Sequence, residues 1–218
     1  MATSSIVTNI MDSLYEGFSE YSFPGKFPGE LYHSLVIKIR DVLIEQNRGV
    51  GNVLMVKDDT NVIVIVFDYC VIRIYEKDIF DRISEIYSLD SPNLESLIQT
   101  YYFEDMYIIT VTEKIIPLLH YSISGVCINP SLDITKIASE DVYCNISGAL
   151  SHIHRIGYVH RDCQLDNIGV KVDSDGNYVY VLFDYVLSKK YKDSYDFRML
   201  ISRDMEILIN SIKRYLMR

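Results

Sequence analysis

The sequence predicts an α+β chain in two parts, a sheet-rich first part and a helix-rich second. Three observations predict it. The β-branched runs Val53 to Val56, Val62 to Phe67 and Cys70 to Tyr75 are separated by turn residues and read as three antiparallel strands. Helical spacing then takes over from Lys77 to Tyr87, where Ile79, Phe80, Ile83, Ile86 and Tyr87 share one face. Beyond a connector over 113–131, which holds Pro117, Gly125 and Pro130, a long helical stripe of Val142, Ile146, Ala149, Leu150 and Ile153 opens the second part.

Each element can be placed in order. Residues 1–30 form an irregular N-terminal arm punctuated by Pro24-Gly25 and Pro28-Gly29. Apolar residues at 31, 35, 36, 39, 42 and 43 predict a helix that ends at Asn47-Arg48-Gly49-Val50-Gly51. The three strands follow, with Lys57-Asp58-Asp59-Thr60-Asn61 as the tip between the first two. Ser91-Pro92 stops the helix that begins at Lys77. Leu97 to Phe103 and Met106 to Thr112 then pair around Glu104-Asp105. The segment 31–113 is thus a preceding helix and a five-stranded antiparallel sheet with one crossing helix. In 114–218, Ser139 is the expected N-cap of the long helix and Glu140 and Asp141 sit in its positive first turn. Gly157 ends that helix. A loop over 158–167 leads to a hairpin, 168–172 with 178–183, whose turn is Asp173-Ser174-Asp175-Gly176-Asn177. A last helix covers 195–216.

Composition narrows the function classes. With 49% hydrophobic residues in 218, the chain can bury a core without staples. Thirty Asp and Glu against 21 Lys and Arg give a net charge of -9, which disfavours nucleic acid and anionic membrane surfaces as partners. The longest apolar stretch, Val62 to Ile74, is interrupted by Asp68 and Arg73 and is shorter than the roughly 18 residues a membrane span needs. The start MATSSIVTNIMDS has neither a basic leader nor a long apolar run. Cys70, Cys127, Cys144 and Cys163 form no CxxC pair, so reduced thiols in a cytoplasmic protein are expected.

The stretch that carries chemistry is Tyr158-Val159-His160-Arg161-Asp162-Cys163-Gln164-Leu165-Asp166-Asn167, followed after the hairpin by Leu182-Phe183-Asp184-Tyr185. It resembles the protein kinase catalytic loop, HRDxxxxN, and the DFG element that follows it. Phosphoryl transfer needs an acceptor for the attacking hydroxyl and oxygen ligands for Mg²⁺ around the phosphates. Asp162 and Asn167 lie five apart on one loop, and the hairpin folds Asp184 back beside them. The resemblance extends over residues 50–215. It implies a two-lobed protein kinase-like fold with a truncated helical second lobe, as in the compact kinases of large DNA viruses and bacterial effectors. It implies ATP and Mg²⁺ as cofactors, Asp162 as catalytic base, and Asn167 and Asp184 as metal ligands. Glu113, at the end of Tyr107-Ile-Ile-Thr-Val-Thr-Glu113, falls where the family's hinge binds adenine. Asp204 falls where the family keeps an Asp that holds the catalytic loop; a solvated helix carboxylate is the alternative.

The departures from the family are specific. Arg73, in Cys70-Val-Ile-Arg73-Ile-Tyr75, stands in the place of the phosphate-binding Lys, and a guanidinium is not a drop-in replacement. Glu85 is its expected partner, Asp81 the rival, and Lys57 a possible substitute cation. Gly49-Val-Gly51 carries part of the phosphate loop but follows a helix. Asp184-Tyr185-Val186 lacks the family's Gly and with it an easy hinge. The stretch from Asp184 to the last helix is short and has no APE motif. Three functions follow from this pattern. The first is an ATP- and Mg²⁺-dependent protein Ser/Thr kinase, acting on a protein substrate. The second is a pseudokinase-like module that binds a host or viral partner protein, in host cytoplasm or virion. The third is a small-molecule kinase of aminoglycoside or choline type.

Four other features have plainer readings. The Asp173 turn has near-Ca²⁺-loop spacing but is better read as a hairpin turn in which Gly and Asn accept positive φ. His152 and His154 face different ways on their helix, which favours capping or packing over a metal cluster. Cys163 is read as a buried inert thiol. Lys189, Lys190 and Lys192 form a short basic patch on a solvated loop.

Overall fold

The structure is a computed structural model that describes residues 53–59, 62–67, 70–103, 107–122, 125–192 and 195–217. The helix expected over 31–46, Gly49, Gly51 and the Lys57 side chain lie outside what is described. The fold is α+β with antiparallel sheets, and the chain divides into two compact units. The first holds the sheet, ending at Lys77 and resuming over Leu97–Lys114; the second holds Asp78–Ser96 and Ile115–Arg218. The crossing helix is therefore grouped with the second unit, although in sequence it lies among the strands.

In the first unit, β1 (Val53–Asp59), β2 (Val62–Phe67), β3 (Cys70–Glu76), β4 (Leu97–Phe103) and β5 (Tyr107–Glu113) form a sheet in the order β1-β2-β3-β5-β4. All neighbours are antiparallel. The tip expected over 57–61 is instead largely strand. Asp59 pairs with Val62, so Lys57, Asp58 and Asp59 continue the ladder opposite the β-branched start of β2. The central strands β3 and β5 are buried along nearly their whole length. The threonines on β5 are compatible with that burial because their hydroxyls find acceptors: Thr110 donates to the Arg73 carbonyl and Thr112 to the Val71 carbonyl.

The second unit is built on α1 (Lys77–Tyr87), α2 (Ser139–Arg155) and α3 (Tyr195–Tyr215). The buried face of α1 is Ile79, Phe80, Ile83, Ile86 and Tyr87, as its spacing predicts. α2 buries Val142, Ile146, Ala149, Leu150 and Ile153 and packs against α3. Its N-cap is Ala138, one residue before the expected Ser139, and no side chain closes that end. Gly157 does end the helix. Its φ is +86°, and an added Cβ there would press on the Tyr191 carbonyl oxygen.

The connector after β5 is more ordered than its Pro and Gly content suggests. β6 (Ile116–Pro117) joins the sheet edge of the later hairpin, and β7 (Leu119–Ser122) pairs with β8 (Gly125–Ile128). β9 (Tyr158–Val159) precedes the loop, and β10 (Ile168–Val172) and β11 (Tyr178–Leu182) form the hairpin after it. Gly169 allows β6 to approach, since an added Cβ would lie 2.5 Å from the Ile116 carbonyl oxygen. The hairpin turn is closed by Asp173, whose Oδ1 accepts from the Asp175 and Asn177 amides. Only Gly176 of that turn takes positive φ; Asn177 is fixed by its bonds to Asp173 instead. β12 (Lys189–Lys190) pairs with β9. No helix of the described residues is long and apolar enough to cross a membrane.

Candidate active site

The loop that carries the motif is fastened from below by α3. Asp204 is 1% exposed, and its carboxylate accepts from the His160 amide at 2.8 Å, the Arg161 amide at 2.8 Å and His154 Nε2 at 3.0 Å. It is a buried structural acceptor and not a solvated helix carboxylate. Two further ties run from the loop to the same helix: Cys163 Sγ donates to the Asp204 carbonyl, and the Leu165 amide donates to Ser211 Oγ at 2.9 Å. Charge-assisted bonds of the first kind are the stronger ones, because burial removes competition from water. They hold Arg161 at a φ of +73°, a conformation that costs a non-glycine residue energy.

His160 is fully buried beneath the site. The Asp162 amide donates to its Nδ1, and its Nε2 lies 3.3 Å from the Phe183 carbonyl oxygen. One nitrogen accepts and the other donates, which assigns the neutral Nε2–H tautomer. Burial holds the His160 pKa below its ordinary value, and it prevails over the opposing pull of Asp204, Asp184 and Asp162.

A 3-10 turn at Leu165–Asn167 brings Asn167 back onto Asp162. Asn167 Nδ2 donates to the Asp162 carbonyl at 2.8 Å and to Asp162 Oδ2 at 2.8 Å. Both amide hydrogens are thereby spent on Asp162. Asn167 Oδ1, on a residue 8% exposed, is left without a donor among the described residues. The register Ile168↔Leu182 and the bond from the Phe183 amide to the Asn167 carbonyl place Asp184 at the next position beside this turn. Asp184 takes a φ of +64°, so the backbone turn falls on the Asp itself. Its Oδ1 meets the Val186 amide at 3.4 Å.

Asp162, Asn167 and Asp184 thus present oxygen ligands in one small region, and the Asn167 oxygen is buried and unengaged among the described residues. Two carboxylates and an amide oxygen are hard ligands of the kind that suit Mg²⁺. Among the described residues there is no group of three or more His, Cys, Asp or Glu that could hold a metal, so His152, His154 and His160 form none.

Tyr185 is a packing residue. It is fully buried, edge-on to Tyr87 and His160 with ring centroids 5.1 and 5.7 Å away, and its hydroxyl donates to the Leu182 carbonyl. The segment beyond it is held by α1: Arg82 Nη2 donates to the Val186 carbonyl at 3.1 Å. Glu85, the expected brace for Arg73, meets Lys190 Nζ at 2.6 Å, and that hydrogen bond holds its carboxyl below the usual range. The basic patch is therefore partly neutralised by α1. Asp81 is exposed on the same helix. Cys163 is buried, and burial raises its thiol pKa far above the ordinary value, which makes it an inert thiol.

In the sheet unit, Arg73 is 8% exposed, and its Nη1 donates to Thr112 Oγ1 at 3.0 Å. Glu113 closes β5 opposite Cys70. Two residues outside the motif's fixed positions also reach the loop, Gln164 and Tyr121. Gln164 Nε2 donates to Asp162 Oδ1 at 2.9 Å, and the Tyr121 hydroxyl donates to Asp166 from the β7–β8 hairpin. The i,i+2 spacing of Asp162 and Gln164 is the only trace of the first in the sequence, and Tyr121 leaves none. No protein-family model and no curated protein matches the chain.

Proposed function

We propose that the chain is a minimal protein Ser/Thr kinase of two-lobed kinase-like fold, transferring the γ-phosphoryl group of ATP in the cytoplasm. The observation that carries this reading is the fastening of the loop: buried Asp204 holds both residues before Asp162, and Asn167 binds both its carbonyl and its carboxylate. A site built this way is organised before substrate arrives, which is where most of the catalytic advantage in phosphoryl transfer lies. Asp162 orients the acceptor hydroxyl and takes its proton. The hydroxyl oxygen bonds to the γ-phosphorus as the bond to the bridging oxygen breaks, and ADP leaves. Asn167 Oδ1 and the Asp184 carboxylate are the groups that would hold Mg²⁺, which would supply neutralisation of charge on the phosphates. Neutral His160 fixes the Asp162 amide and adds no charge beneath the site.

The test is incorporation of labelled phosphate from Mg-ATP into protein, in purified protein alone and with lysate, beside Asp162→Ala. Loss of label in the variant is expected, and absence of Asp162-dependent label sinks the reading. A second reading, a binding module without transfer, is favoured by one observation: Glu85 is engaged by Lys190. It predicts partner binding that Asp162→Ala does not disturb. Label found only in small metabolites points to a small-molecule kinase.

A further inference from the structure

Burial along the loop alternates after Asp162. Cys163, Leu165 and Asn167 are buried, and the first two are tied to α3; Asp162, Gln164 and Asp166 are half-buried. Gln164 is thus a long side chain on a rigidly held main chain, and its own carbonyl accepts the Asn167 amide at 3.0 Å. The amide Nε2 reaches Asp162 Oδ1 at 2.9 Å while Asn167 Nδ2 holds Oδ2 at 2.8 Å. A carboxylate turns easily about its last torsion, whose wells are broad and two-fold. One donor restrains that rotation at one oxygen; two donors on different oxygens define the plane. Each oxygen still keeps a lone pair for an incoming hydroxyl. Neither amide adds a charge beside the carboxylate.

We infer that Gln164 is a positioning residue, which with Asn167 fixes the plane of the Asp162 carboxylate for the acceptor hydroxyl. This rests on the phosphotransferase reading. Gln164→Met keeps the bulk and removes the donor. It is expected to lower kcat about tenfold, with the KM for ATP and the melting temperature essentially unchanged. An unchanged kcat in Gln164→Met, or a loss shared equally by ATP affinity and stability, overturns the proposal.

The contact itself is read independently of activity by the side-chain amide signal of ¹⁵N-labelled Gln164, assigned by its disappearance in Gln164→Met. It is expected to move in Asp162→Asn. A signal indifferent to that substitution overturns the clamp even in an active enzyme. A responsive signal in a wild type that transfers no phosphate instead overturns the phosphotransferase reading, and with it any catalytic role for a clamp that exists.

Discussion

The loop around Asp162 and the sheet around Arg73 are built on opposite plans. In the loop, the bonds to α3 are made by the His160, Arg161 and Leu165 amides and by the Cys163 thiol. The side chains of Asp162 and Asp184 are left half-buried at the surface of that framework. In the sheet, the guanidinium of Arg73 is itself tied, to Thr112 on the neighbouring central strand. A functional group held through its main chain is positioned and still available. The Asp162 carboxylate does take one donor at each oxygen, from Gln164 and Asn167, yet each oxygen keeps a lone pair for a further donor, whereas the N–H that Arg73 gives to Thr112 must be withdrawn before it can serve another acceptor. The loop therefore carries the stronger case for chemistry, and the difference can be attacked from either side.

The largest effect is expected at Asp204. Removing its carboxylate leaves the buried His160 amide, the part-buried Arg161 amide and His154 without their acceptor, and charge-assisted bonds of this kind are costly to lose. Asp204→Ala is expected to destabilise the second unit by about 3 kcal/mol in urea unfolding. In conditions where the variant stays folded, transfer should fall at least a hundredfold, as a base misplaced by about 1 Å would predict. Full activity in a stable Asp204→Ala would break the comparison, since the loop would then not depend on its anchor.

Next in size is a pH dependence that belongs to His160. Its folded-state pKa lies below the unfolded one because burial disfavours the charged ring. As pH falls below about 6.5, the unfolded chain takes up a proton that the folded chain refuses. Stability is complete above that pH and declines below it, by up to about 1.4 kcal/mol per pH unit for one group. Urea unfolding at stepped pH should show this slope, and His160→Gln should reduce it by about one proton. An unchanged slope would mean that the ring is not held neutral beneath Asp162.

How much of this was legible depended on range. The α1 stripe was readable because five apolar residues within eleven repeat at one period, and burial follows period. Asp162, Asn167 and Asp184 were readable because a short loop and a tight hairpin fix their spacing in sequence. Asp204 was ambiguous: a helix carboxylate looks the same in sequence whether water or a distant amide is its partner. The same limit hid the two-residue ladder of β9 with β12 and the hairpin β7–β8, since pairs this short lack a periodic signal. Only family likeness pairs Glu85 with Arg73. Lys190, its partner in the structure, lies 105 residues away, and nothing local announces it.

On the sheet side, Arg73→Lys sharpens the contrast. A lysine keeps the positive charge but not the planar fork that reaches Thr112 Oγ1. The expected cost is about 1 kcal/mol of stability, the value of one buried hydrogen bond. Nucleotide affinity, read by the ATP-dependent rise in melting temperature, separates two roles for the residue. If Arg73 serves the sheet alone, the rise is unchanged. If it also grips phosphate, the rise changes along with the stability.

The smallest effect is expected at Glu85, and its smallness is informative. The ion pair with Lys190 has 51% and 45% of its two side chains exposed, so water and salt compete with it throughout. Glu85→Gln should leave the melting temperature within about 2 °C of the wild type. The carboxyl is held below its ordinary pKa, so the little stabilisation it gives is present above the unfolded value near 4.3 and lost as pH falls through the folded one. A large loss of transfer at unchanged melting temperature would therefore not come from this surface pair. It would show that Glu85 leaves Lys190 during the reaction to serve the site, so that a carboxylate tied at its charged end is released when it is needed. Measuring transfer by the wild type and by Glu85→Gln at both low and high salt decides it, since salt that weakens the surface pair should bring the wild type toward the variant only if that pair is what matters.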